Sequence, residues 1–203
     1  MQKQAKIIAL TGGIASGKST ATRYLGGKGL PVIDCDLLGH RAYEPDTQAY
    51  AQVIETFGDD VIGDDGKIDR RVLGGKVFGD PDALKRLTDI IWPEIRRLAE
   101  ADISAIRAEN NASAIIVEAA VLFEAGWENI ADEIWVVVVE PETSLTRAMA
   151  RDGADQETIQ KRIDSQLSND ERRQRADIVI DNSGDEDALL KALDVEAARI
   201  LGV

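Results

Sequence analysis

Gly12-Gly13-Ile14-Ala15-Ser16-Gly17-Lys18-Ser19 is the stretch that decides how this chain folds. It fits the pattern G-x-x-x-x-G-K-[ST], in which glycines let backbone N–H groups turn inward around phosphate oxygens. Its flanks suit that use. The apolar run at residues 6–10 reads as a strand, and Ala21, Tyr24 and Leu25 recur at helical spacing downstream. A helix opening directly after the loop adds the partial positive charge of its N-terminus to the inward amides. In this chemistry Lys18 reaches the β- and γ-phosphates of a nucleotide, and the Ser19 hydroxyl is a ligand for Mg²⁺.

Four more apolar runs read as strands, at residues 31–34, 114–118, 133–139 and 177–180. The fourth strand carries Ile134, Trp135 and then four consecutive valines, a β-branched run that suits burial on both faces. Helical patterns fill the intervals. Asp80 before Pro81 is an N-cap with proline at the first helical position, and Leu84, Leu87 and Ile91 follow on one stripe. Pro93 is expected to restart a helix with Ile95, Leu98, Ala99, Ile103 and Ile106 on one face. Pro141 opens another helix, Asp155 caps a further one, and a last helix carries Leu189, Leu193, Ala197 and Ile200. Strand alternating with helix implies an α/β fold with a parallel sheet covered on both sides. The long helical stretch from about residue 44 to 111 reads as an insertion on that core.

Composition excludes several functions. The formal charge of −13 over 203 residues disfavours nucleic acid and anionic membrane as partners, because both select basic surfaces. With Cys35 as the single cysteine there is neither an internal disulfide nor a cysteine-cluster zinc site, and with His40 as the single histidine there is room for at most one His-centred triad. The opening apolar run is far too short to span a membrane and lacks a signal-peptide pattern, so a cytoplasmic protein is expected.

Three constellations add to the loop. Asp34 and Asp36 close the second strand, where ligands of open α/β sheets bind; if the strand persists they share a face, and a carboxylate there can take a proton from an attacking hydroxyl. A solvated acidic turn is the alternative. Glu118 ends a hydrophobic strand in the manner of a Walker B acid, which holds Mg²⁺ directly or through water. The segment 147–175 holds seven basic against six acidic residues in an otherwise acidic chain, which suits a mobile cover over ATP; Arg147 and Arg151 lie four apart and face the same way. A salt-bridged surface helix is the competing reading. Trp92, Trp127 and Trp135 read as core or pocket walls, with Trp92 the best placed of them to touch a ligand, and Cys35 as an inert thiol in a buried strand.

Taken together, these residues resemble the dephospho-CoA kinase family, from residue 10 to about 184. The P-loop, Val32-Ile33-Asp34-Cys35-Asp36, Gly66-Lys67-Ile68-Asp69-Arg70, Val77-Phe78, Val121-Leu122-Phe123-Glu124, Arg147 with Arg151-Asp152-Gly153, and the stretch from Ala176-Asp177 to Asp181-Asn182 match in order and spacing. His40 beside Arg41, Trp92-Pro93 and Glu118-Ala119-Ala120 depart from the bacterial pattern and are similar to the kinase half of animal bifunctional CoA synthase. The resemblance implies a P-loop kinase fold in three layers, with a five-stranded parallel sheet. It implies a core at about 1–43, 112–146 and 176–203, a helical substrate-binding region at about 44–111 and a lid at about 147–175. It implies transfer of the ATP γ-phosphate to the 3′-hydroxyl of dephospho-CoA with Mg²⁺, in a monomer or weak homo-oligomer. Catalysis then falls to Asp36 as general base with Lys18 and Arg147. ATP binding falls to Gly13, Ala15, Ser16, Gly17, Lys18, Ser19, Thr20, Arg147, Arg151 and Asn182. Dephospho-CoA falls to Asp36, His40, Arg41, Arg70 and Trp92, and the metal to Ser19 and Glu118. A nucleoside or other small-metabolite kinase is the alternative enzyme. A non-catalytic nucleotide-binding regulator is the alternative class, weakened for GTP by the absence of an Asn-Lys-x-Asp motif.

Overall fold

A computed structural model describes residues 4–109 and 111–202; residues 1–3 and 203 of the expected core and residue 110 of the insertion lie outside the described residues. Five strands form one sheet: β1 (Lys6–Gly12), β2 (Val32–Asp34), β3 (Ala114–Glu118), β4 (Glu133–Val138) and β5 (Ile178–Asp181), in the order β2-β3-β1-β4-β5. β1 pairs in parallel with β3 and β4, and β4 with β5. Every residue of β3 and β4 is buried, as their unbroken apolar runs require of strands covered on both faces.

The chain divides into two compact units. One comprises the residues up to Ile33 and from Ile103 onward, the other Asp34–Asp102. The first holds the sheet core, in which Ile8, Leu10, Ile116, Trp135 and Val137 pack with Leu25 of α1 (Lys18–Gly27) and with Leu189 and Leu193 of α9 (Glu186–Leu201). It also carries α6 (Pro141–Asp152), α7 (Gln156–Asp164) and α8 (Asn169–Arg175). The second unit contains α2 (Cys35–Arg41), α3 (Gln48–Phe57), α4 (Arg70–Val77) and the first part of α5 (Pro81–Glu109).

Two expectations need correction. Pro93 does not restart a helix: α5 runs unbroken for 29 residues through it. A helix-interior proline forfeits one N–H bond and strains the preceding turn. Here Ile91, Ile95, Leu98, Ala99 and Ile103 are all buried and hold both halves in one helix. Its start is as read, since the Asp80 carboxylate accepts from Asp82 N and Ala83 N, but Leu84 of the expected stripe is exposed. Nor does β2 persist to Asp36. Asp34 Oδ1 accepts from the backbone N of Asp36 (2.8 Å) and Leu37 (3.1 Å), a cap that turns the chain into α2. Cys35 is therefore buried at the first position of a helix rather than in a strand.

Candidate active site

The phosphate loop leaves the carboxyl end of the central strand β1, with Gly12 opposite Val137 and Leu10 opposite Glu118. This is the point of an open parallel sheet where ligands bind. Both glycines that the motif demands are required by neighbours. A Cβ on Gly12 would stand 2.3 Å from the carbonyl oxygen of Val137. Gly17 has φ +100°, and a Cβ there would stand 2.2 Å from Nδ2 of Asn182. Ala15 holds φ 52°, a left-handed conformation rare outside glycine and typical of functional loops.

Among the described α-helices, α1 and α6 start without a side-chain cap, and α6 opens with Pro141, which has no N–H to satisfy. Asp34, Thr47, Asp69, Asp155, Ser168 and Asp185 place side-chain oxygens on the first turns of α2, α3, α4, α7, α8 and α9. The N-cap of α1 is Gly17, which has no side chain to offer. A helix start of this kind leaves its first turn to an anion. Lys18 folds back over the loop and donates to Gly12 O (2.8 Å) and Gly13 O (3.1 Å).

Around it opens a cleft of about 390 Å³ lined by the unbroken run from Ala15 to Thr20 with Arg147, Arg151, Asn182, Glu186 and Leu189. Asn182, at the end of β5, is buried and donates to Ser16 O at 2.8 Å. Arg147 donates to Asn182 O (3.1 Å) and Gly184 O (3.4 Å), so its guanidinium braces the loop after β5 while lining the cleft. Arg151 pairs with Asp152 at 2.7 Å, and Asp152 also pairs with Arg162 at 3.2 Å. Hydrogen bonding from Arg151 holds the Asp152 carboxyl below the usual carboxylate range.

Of the residues read as nucleotide-binding, only Gly13 lies outside that lining. It borders a second cleft of about 670 Å³ with Ile14, Ser16, Ser144, Gln166 and Arg172. Ser144 Oγ donates to Ile14 O (2.7 Å), and Ile14 N donates to Gln166 Oε1 (3.0 Å). Sequence pattern does not point to Gln166 or Ser144, because nothing local marks a polar residue more than 120 positions away as a loop partner. Composition places Arg172 in the basic segment without distinguishing it from the other six.

Glu118 is buried at the end of β3. Mg²⁺ takes one or two protein oxygens and completes its shell with water and phosphate oxygens. The Ser19 hydroxyl in the cleft and the Glu118 carboxylate are donors of the right type. Among the described residues no cluster of three or more His, Cys, Asp or Glu side chains forms an all-protein metal cage.

The second unit gathers the other readings. Asp36, His40 and Arg41 all lie on α2 and are exposed, and Arg70 opens α4. Arg70 Nη1 lies 2.9 and 3.0 Å from the two ring nitrogens of His40, and its guanidinium sits 5.9 Å from the Tyr43 ring centre. Arg41 pairs with Asp102 at 2.6 Å. Trp92 is half-buried on α5, whereas Trp127 and Trp135 are core. Asp34 and Asp36 thus separate in role: the first caps the helix, and the second stands on its first turn.

Comparison with known proteins bears on the whole arrangement. The family model for dephospho-CoA kinase matches residues 6–187, a span that includes the phosphate loop, Asp36, the arginine-rich segment and Asn182. The dephospho-CoA kinase of Geobacter sulfurreducens is 42% identical over 188 residues, covering 93% of this chain and 95% of that protein. A Thermus thermophilus protein of known crystal structure superposes with a TM-score of 0.81 at 35% identity, covering 97% of this chain and 98% of its own. Dephospho-CoA kinase from Campylobacter jejuni does so with a TM-score of 0.67 at 26% identity, covering 97% of each. Agreement of this extent, in sequence and in fold alike, makes the chain a P-loop kinase that belongs to the dephospho-CoA kinase family.

Proposed function

We propose that this chain transfers the γ-phosphoryl group of ATP to the 3′-hydroxyl of dephospho-CoA, giving coenzyme A and ADP, with the residues placed as follows. The backbone from Gly13 to Thr20 cradles the phosphates, and the Lys18 ammonium turns from its carbonyl partners to the β- and γ-oxygens. Arg147 and Arg151 add positive charge where it develops on the transferred group. Asn182 keeps the loop in shape and stands on the nucleotide side of the cleft. Asp36, held on the first turn of α2 by the Asp34 cap, accepts the proton of the acceptor hydroxyl as its oxygen bonds to phosphorus and the bond to ADP breaks. His40, Arg41, Arg70 and Trp92 bind dephospho-CoA, the cations suiting its phosphates and the indole its adenine. Ser19 and Glu118 would hold Mg²⁺, which would neutralise phosphate charge.

The observation that carries this reading is the uncapped start of α1 opening into a cleft lined by the loop and two arginines. In this reading the protein is cytoplasmic and a monomer or weak homo-oligomer, and its net charge of −13 disfavours nucleic acid and anionic membrane as partners. No described helix is long and apolar enough to cross a membrane. The test is mass-spectrometric detection of coenzyme A formed from dephospho-CoA and Mg-ATP, with nucleoside monophosphates offered in parallel. Phosphorylation of a nucleotide without coenzyme A formation overturns the substrate. Tight ATP binding with no transfer to any acceptor overturns the enzyme.

A further inference from the structure

Three buried side-chain polar atoms among the described residues have no hydrogen-bond partner: Thr11 Oγ1, Ser16 Oγ and Arg172 Nη2. Two belong to the phosphate loop and the strand that feeds it. The third belongs to a helix distant in sequence. Arg172 is 3% exposed, an extreme burial for an arginine, a residue seldom buried unless paired. Its Nη1 donates to Leu167 O. Its Nη2 has only Glu124 Oε1 at 3.8 Å, beyond hydrogen-bond reach. A guanidinium carries five N–H donors in a fixed fork suited to phosphate oxygens.

The fork lies against the start of the phosphate loop. A Cβ on Gly13 would stand 3.5 Å from Arg172 Nη1 and 3.7 Å from Gln166 Oε1. Gln166 Oε1 accepts from Ile14 N at 3.0 Å, so a neutral amide oxygen takes a loop N–H on the side of the second cleft. Backbone amides at the helix end of such a loop serve the α- and β-phosphates, and the lysine reaches the β- and γ-phosphates. Ile14, on the other side of Ala15 from the helix, is left for the terminal one. Burial also lowers the proton affinity of Arg172, a sign of a cation held away from water.

We infer that Arg172 is a catalytic residue that contacts the terminal phosphate of ATP beside Gly13, and that Gln166 occupies the place of that phosphate's oxygen until nucleotide arrives. This rests on the proposed ATP-dependent transfer but goes past its residue assignments, which draw their arginines from the other cleft. The arginine spreads charge over the equatorial oxygens of the group in transit. The glutamine amide gives way because a phosphate oxygen is the stronger acceptor for the same N–H.

The test compares ATP with ADP, because only ATP carries the terminal phosphate. Affinities of the full chain for both nucleotides with Mg²⁺ are measured by calorimetry for wild type, Arg172→Met, Arg172→Lys and Gln166→Glu. Arg172→Met is expected to reduce the preference for ATP over ADP about 10-fold or more, leave ADP binding within about 2-fold, and lower kcat on the order of 100-fold or more. Arg172→Lys restores part of the preference. Gln166→Glu, nearly isosteric, sets a negative charge against the incoming phosphate and lowers the preference by a similar factor. If Arg172→Met does not fold, Gln166→Glu decides by the same ratio. An ATP-to-ADP ratio unchanged from wild type in the folded variants overturns the inference. Failure of the wild type to bind ATP at all overturns instead the proposed function.

Discussion

Replacing Gly17 by alanine tests whether the phosphate loop is shaped by its own sequence or by the strand that ends beside it. At φ +100° an L side chain costs about 1–2 kcal/mol. The new Cβ would also stand 2.2 Å from Asn182 Nδ2, which must retreat by more than 1 Å to reach ordinary contact. That retreat breaks its 2.8 Å bond to Ser16 O inside a buried site, worth about 1–3 kcal/mol. Gly17→Ala should therefore cost about 2–5 kcal/mol of unfolding free energy. Asn182→Ala alone loses the same bond while keeping the backbone contacts that Asn182 makes with Val138 and Arg147. In the Asn182→Ala background the clash is gone, and Gly17→Ala should cost only its backbone strain of about 1–2 kcal/mol. Urea unfolding of the four proteins in the double-mutant cycle, without nucleotide, should show a coupling of about 1–3 kcal/mol. Costs that add to within about 0.5 kcal/mol would refute the reasoning and leave Gly17 required by its dihedral angle alone.

Three further outcomes are expected. Lys18→Ala removes the cation aimed at the β- and γ-phosphates, a loss on the order of 3 kcal/mol in the transition state, so kcat should fall about 100-fold or more in a folded protein; activity within a few-fold of wild type contradicts the loop assignment. Asp36→Asn should lower kcat about 10²–10⁴-fold with little change in KM, whereas Asp34→Asn, which retains a capping oxygen, should be mild and Asp34→Ala should cost about 0.5–2 kcal/mol of stability. A damaging Asp34→Asn beside a mild Asp36→Asn would reverse the two roles. Glu133 should make stability depend on acid: burial pushes its carboxyl up, but donors from Arg199, Lys6 and Trp135 outweigh that and hold it below the usual range. A depressed folded value means its contribution is present above the unfolded value near about pH 4.3 and lost as pH falls through the folded one. The stability difference between wild type and Glu133→Gln, followed by urea unfolding from pH 7 downward, should therefore shrink below about pH 4, and a constant difference would exclude this role.

Most element positions and the phosphate-loop motif are legible in the amino-acid sequence, because both are written in short-range patterns. Unbroken β-branched runs mark strands buried on both faces, and β3 runs over the residues read from the pattern. Asp80-Pro81, Pro141 and Asp155 mark helix starts because a cap needs only its own next turn. Glycines followed by lysine and serine announce inward amides for the same local reason. The structure decided what depends on residues far apart in the chain. Whether Pro93 breaks a helix is settled by the buried side chains around it, not by the proline. Asp34 and Asp36 look alike in sequence, and only the turn into α2 makes one a cap and leaves the other on the exposed first turn. Seven basic residues between 147 and 175 are equal by composition, yet packing against the phosphate loop buries Arg172 alone among the described ones. Gln166 and Asn182 meet the loop across 152 and 166 positions. Such contacts form when parallel strands bring distant segments to one sheet end, and hydrophobic periodicity, which repeats over a few residues, carries no record of which distant side chain arrives there.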